Sequence, residues 1–96
     1  MTTRPISNLA TVHLAIHGRI QGVFFRDSMR SEAHRLGICG WVRNTTHGTV
    51  EAMVQGDKVA VDKIVQWAHR GPAQAQVNKV EVDAGSGDFH QFEIRD

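Results

Sequence analysis

The stretch TVHLAIHGRIQGVFFRDSMRSEAHRLG, Thr11 to Gly37, holds a change of period that decides the fold. Up to His17 the residues alternate, and Val12, Leu14 and Ile16 fall on one side, as in a half-buried strand. From about Val23 the spacing becomes helical, with Phe25, Met29, Ala33 and Leu36 on one face. Gly37 is the expected stop, because glycine tolerates the left-handed conformation that ends many helices. Between strand and helix lies GRIQG, Gly18 to Gly22, a loop with a glycine at each end.

The same punctuation continues downstream. Ile38 to Asn44 reads as a second strand, Thr45 to Gly48 as a turn and Thr49 to Gln55 as a third strand, so the two strands make a hairpin. Gly56-Asp57 opens a second helix with Asp57 as its cap. Val61, Ile64, Val65 and Ala68 give that helix its buried stripe, and Gly71-Pro72 ends it. Val77, Val80 and Val82 mark a fourth strand; Gly85 to Asp88 is a turn, and Phe89 to Ile94 a short final strand. The order is βαββαβ with room for a fifth strand. Helices that cross over a sheet must cover one of its faces, which predicts a two-layer α/β (α+β) sandwich of ferredoxin-like type, with a mixed sheet. Residues 1–8 are polar, contain Pro5, and are expected to be a flexible tail; 9–96 are expected to be a single domain.

Composition sets the outer bounds. The chain has 96 residues, a formal charge of +1, 41% apolar and 22% charged residues. That mix argues against disorder, and the missing basic excess argues against a dedicated nucleic-acid binder. The third strand also lacks the aromatic residues an RNA-binding sheet would need. One cysteine, Cys39, allows no internal disulfide and reads as a small half-buried residue rather than a nucleophile. No run approaches the roughly 20 apolar residues of a membrane span, and the N-terminus lacks the apolar centre of a secretory signal. A cytoplasmic monomer is the default expectation.

The loop GRIQGVFFR, Gly18 to Arg26, carries the first chemical signal. It runs into a helix N-terminus, where unpaired N–H groups and the helix dipole attract anions. Glycines let successive amides converge into a nest. Arg26 sits near the first helical turn, where a cation is unfavourable, and its planar fork of donors suits a phosphate. The loop alone leaves two readings open: a phosphate site, or a common turn followed by a solvated arginine.

Topology adds a second residue. A crossover helix between strands one and two makes them parallel, so the loop and Asn44 reach the same sheet edge. Asn44 is neutral and can both accept a hydrogen bond from water and donate one to a phosphoryl oxygen; the competing reading is an ordinary turn asparagine. Phe24 and Phe25 are expected to divide between core and loop support, and Trp41 and Trp67 to serve packing. Of the six histidines, His13 and His17 lie about 13 Å apart along one strand face, too far to share a metal. His34 and His69 fall in helices without a partner pattern, His47 lies in the turn near Asn44, and His90 lies near the C-terminus. No metal site is expected.

GRIQGVFFR closely resembles the first signature of the acylphosphatase family. GWVRNTTHGTVEAMVQG, Gly40 to Gly56, resembles the second, with Asn44, Gly48, Val50 and Gly56 in register, and GPAQAQVNKV, Gly71 to Val80, resembles the family's lead into strand four. The likeness runs from about Thr11 to Ile94. It implies a small ferredoxin-like enzyme that hydrolyses the carboxyl–phosphate bond of acyl phosphates without a cofactor or metal. It makes Arg26 the phosphate-binding arginine and Asn44 the water-orienting asparagine. It makes the backbone of Gly18, Arg19, Ile20, Gln21, Gly22 and Val23 the phosphate cradle. In some members a terminal carboxylate steadies the arginine, and whether Asp96 reaches Arg26 is left open. The implied partner is a small-molecule acyl phosphate. The rival from another class is a non-catalytic phosphate-binding regulatory module, which would bind phosphate without turnover.

Overall fold

The structure, a computed structural model, describes residues 8–96, so nearly all of the expected N-terminal tail lies outside the described residues. The elements are β1 (Leu9–Arg19), α1 (Phe25–Leu36), β2 (Cys39–Asn44), β3 (Val50–Asp57), α2 (Lys58–Ala68), β4 (Gln76–Ala84) and β5 (Phe92–Arg95). They form the expected two-layer α+β sandwich: one five-stranded sheet in the order β4-β1-β3-β2-β5, with both helices packed on it.

The core lies between helices and sheet, and the period of each element explains who enters it. Leu14 and Ile16 of β1, Val42 of β2, and Val50, Ala52 and Val54 of β3 point inward and are fully buried. Phe25, Met29 and Ala33 of α1 and Val61, Ile64 and Ala68 of α2 meet them. Leu36 and Val65, expected on the same stripes, are only partly buried against this cluster. Gly37 ends α1 at φ 71°, the left-handed geometry expected there. Asp57 caps α2, its side chain accepting a hydrogen bond from the Val59 N–H.

β1 runs antiparallel to β3, and β3 antiparallel to β2, so β1 and β2 point the same way, as a crossover helix requires. β5 then joins β2 in parallel, Gly40 opposite Phe92 and Arg43 opposite Arg95. The ends of β1, β2 and β5 therefore converge on one edge of the sheet. That edge is where the chemistry-bearing residues gather.

Several boundaries differ from expectation; Gly56 and Asp57, expected to open α2, still pair with Ala10 and Leu9 as the end of β3. Gly18 and Arg19, expected in the loop, are still strand, paired with Val77 and Gln76 of β4 across a register shift between His17 and Gly18. A long-range strand partner claims them, which local sequence does not announce. The last strand begins at Phe92 rather than Phe89, because the Phe89 N–H is taken by the Gln55 side chain instead of a neighbouring strand.

Candidate active site

The loop between β1 and α1 is short and pinned to the core at three residues. Ile20 is buried in the core, Val23 packs against it, and Phe25 is buried as the first residue of α1. The intervening residues must bend outward. Gly22 does so at φ 79° at no steric cost. Phe24 does so at φ 62°, the only non-glycine residue at positive φ among those described. For a residue with a side chain that conformation costs about 1–2 kcal/mol. Among the described residues, no backbone hydrogen bond uses the N–H groups of Gly22 or Val23.

Arg26 follows in the first turn of α1, about one-third exposed. It is brought together with Asn44, the last residue of β2. Both line a cavity of about 240 Å³, with Ile20, Gly22, Phe24, Phe25 and Asp27. Of the expected cradle, Ile20 and Gly22 line this cavity; Gly18 and Arg19 belong to the strand that leads to it. The Asp96 side-chain carboxylate lies 3.7 Å from the Arg26 guanidinium and is fully exposed. The parallel pairing of β5 with β2 delivers it to this edge.

Gln21 has a role its residue type did not suggest. Its side-chain amide donates to the carbonyls of Thr49 at 2.9 Å and Thr45 at 3.0 Å, tying the loop to the turn that follows Asn44. The turn is braced within itself, the Thr45 and Thr49 hydroxyls lying 2.6 Å apart and the His47 N–H donating to the Thr45 hydroxyl. An amide in a glycine-flanked loop carries no sequence signal for such a partner, because both acceptors are backbone groups.

Phe25 meets Trp67 at 5.3 Å between ring centroids, so Trp67 is a packing residue, as expected. Trp41 lies on the open face of the sheet, with the guanidinium groups of Arg95 and Arg43 at 5.2 and 6.0 Å from its ring centroid. Of the two adjacent phenylalanines Phe25 is the one in the core, and Phe24 stands 72% exposed at the cavity rim. Cys39 is half-buried, as read from sequence.

The histidines of β1 are held by carboxylates across strands, His13 by Glu51 at 2.6 Å and His17 by Glu81 at 2.7 Å. Burial alone would raise the Glu51 pKa, but hydrogen bonds from His13 and Arg43, with their charges, outweigh it and hold the carboxyl below its ordinary value. Glu81 is also held low, chiefly by its hydrogen bond from His17 and then by the charge of Lys79. Among the described residues no three His, Cys, Asp or Glu side chains converge as a metal cage would require. No helix among them is long and apolar enough to cross a membrane.

Comparison with known proteins bears on this geometry. The family model described as Acylphosphatase matches residues 12–94. The chain belongs to the acylphosphatase family. An acylphosphatase of Thiobacillus denitrificans is 52% identical over 87 residues, covering 91% of this chain and 98% of that one. One of Rubrobacter xylanophilus is 51% identical over 86 residues, covering 88% and 78%. The solved acylphosphatase of Coxiella burnetii superposes with a TM-score of 0.91 at 35% identity, over 98% of this chain and 100% of that one. That of Bacillus subtilis gives 0.85 at 29% identity, over 91% and 98%. Family membership makes this acylphosphatase-type chain an enzyme, a hydrolase.

Proposed function

We propose that the chain hydrolyses the carboxyl–phosphate bond of small-molecule acyl phosphates, with Arg26 and the Gly18–Val23 backbone holding the phosphoryl group and Asn44 orienting the attacking water. One observation carries this reading beyond family membership. A cation and a neutral amide, from sequence-distant elements, line one cavity beside a loop in which the Gly22 and Val23 N–H groups have no backbone partner.

The chemistry asks for little more. Water oxygen bonds to phosphorus as the bridging phosphorus–oxygen bond breaks, giving a carboxylate and dihydrogen phosphate. Both protons of the water end on the phosphate. The leaving carboxylate is the base of an acid with pKa about 4, so it departs unprotonated and needs no general acid. A loose phosphoryl-transfer transition state places little demand on a general base. What remains is positioning and charge stabilisation, which one guanidinium and preorganised amides supply. The scheme calls for no metal or cofactor.

The test is hydrolysis of benzoyl phosphate in ¹⁸O-labelled water, with and without EDTA. Label in the released phosphate, at a rate EDTA leaves unchanged, is the expected result. Label in benzoate would mean attack at the acyl carbon, and phosphate binding without turnover would mean a regulatory module.

A further inference from the structure

We infer that Phe24 is the platform on which the acyl arm of the substrate rests, and that the arm it takes is apolar and planar. This rests on the hydrolase reading above and extends it to the kind of acyl group accepted.

Phe24 combines two features that folding does not reward. Its backbone sits at φ 62°, where glycine or asparagine fits with less strain. The residue is 72% exposed, the most exposed of the four large apolar residues left in solvent among those described. Positive φ serves the loop, since Ile20, Val23 and Phe25 are pinned to the core and the residue before Phe25 must turn outward. That need is met by the backbone alone and does not call for a ring. The ring therefore has to be explained by what it faces, and it lines the cavity that also contains Arg26 and Asn44.

A phosphoryl group beside Arg26 leaves its acyl arm two ways out. One crosses the Phe24 ring, with Ile20 and Phe25 further in. The other passes Asn44 into a cavity of about 460 Å³ whose lining includes Arg43, Thr46, His47, Glu51 and Asp96. That second route offers an anionic arm little, because Arg43 is already paired with Glu51 at 2.6 Å and Asp96 is a carboxylate. The Phe24 ring has no such competitor and gains by covering apolar surface; aromatic rings also favour one another in offset or edge-to-face contact.

The experiment compares benzoyl phosphate with acetyl phosphate in the parent and in Phe24→Asn and Phe24→Gly, both of which fit positive φ. For benzoyl phosphate we expect KM to rise by about tenfold. For acetyl phosphate, kcat/KM should stay within about twofold, since its methyl cannot cover the ring. Thermal stability should not fall in either variant. Equal losses on both substrates, or no change on benzoyl phosphate, would overturn the inference while leaving the hydrolase reading intact. Failure of the parent to hydrolyse either substrate would overturn both.

Discussion

Arg26 occupies the first turn of α1, where the helix dipole opposes a positive charge. Asp27 beside it is acidic and suits that turn, whereas Arg26 does not. Its nearest carboxylate, Asp96, is 3.7 Å away and fully exposed, and such pairs contribute about 0–1 kcal/mol. The guanidinium is thus held in place by the fold but not neutralised by it. Arg26→Ala should lower kcat/KM for benzoyl phosphate by about a hundred- to thousandfold, the loss typical of one preorganised donor, and should weaken inhibition by inorganic phosphate. Arg26→Lys should also be badly impaired, because an ammonium cannot present the planar fork. Asp96→Asn should change either constant by less than about twofold. Steady-state kinetics of the three variants checks all of this, and a parental Arg26→Ala would remove the residue from the mechanism.

The site is assembled from a loop and a turn that the chain separates, and the Gln21 side chain joins them. Its two hydrogen bonds to the Thr45 and Thr49 carbonyls fix the position of the loop relative to Asn44. Gln21→Met keeps the length of the side chain and removes the donors. It should lower kcat by about tenfold, as misplacement short of losing a group would, while inhibition by phosphate holds. A fall in melting temperature with unchanged kcat would make the bonds merely structural. Much of this arrangement was legible in the sequence. The switch from alternation to helical spacing across Thr11–Gly37 marks β1 and α1, and the crossover rule alone places Arg26 and Asn44 at one edge. What was hidden depends on distant partners. Gly18 and Arg19 look like loop until β4 pairs with them. The Gln21 bonds end on backbone carbonyls, which leave no trace in side-chain identity. Helical spacing assigns Phe25 to the core, but nothing in the sequence tells that Phe24 beside it stands out in solvent.

Over the whole molecule, the helices cover one face of the sheet and the other face is laced by ion pairs. His13–Glu51 joins β1 to β3, His17–Glu81 joins β1 to β4, and Arg43–Glu51 joins β2 to β3. Glu51 and Glu81 are both held below the ordinary value of 4.5 in the folded chain. Between the folded and ordinary values the unfolded chain binds more protons, so stability from these groups is present above 4.5 and is lost as pH falls through the folded values. Urea midpoints should therefore drop between about pH 6 and about pH 3, and Glu51→Gln should flatten that slope. An unchanged slope would show that the lacing carries no linkage. The same sheet delivers Asn44 to the edge where Arg26 stands, and the proposed mechanism divides the labour between them: Arg26 to hold the phosphoryl group, Asn44 to place the water. Asn44→Ala separates these roles most directly, through kcat for benzoyl phosphate and the inhibition constant for inorganic phosphate measured on the same folded variant. We expect kcat to fall by at least about a hundredfold while the inhibition constant stays within about threefold of the parent. A parental kcat, or a loss confined to phosphate binding, would contradict it.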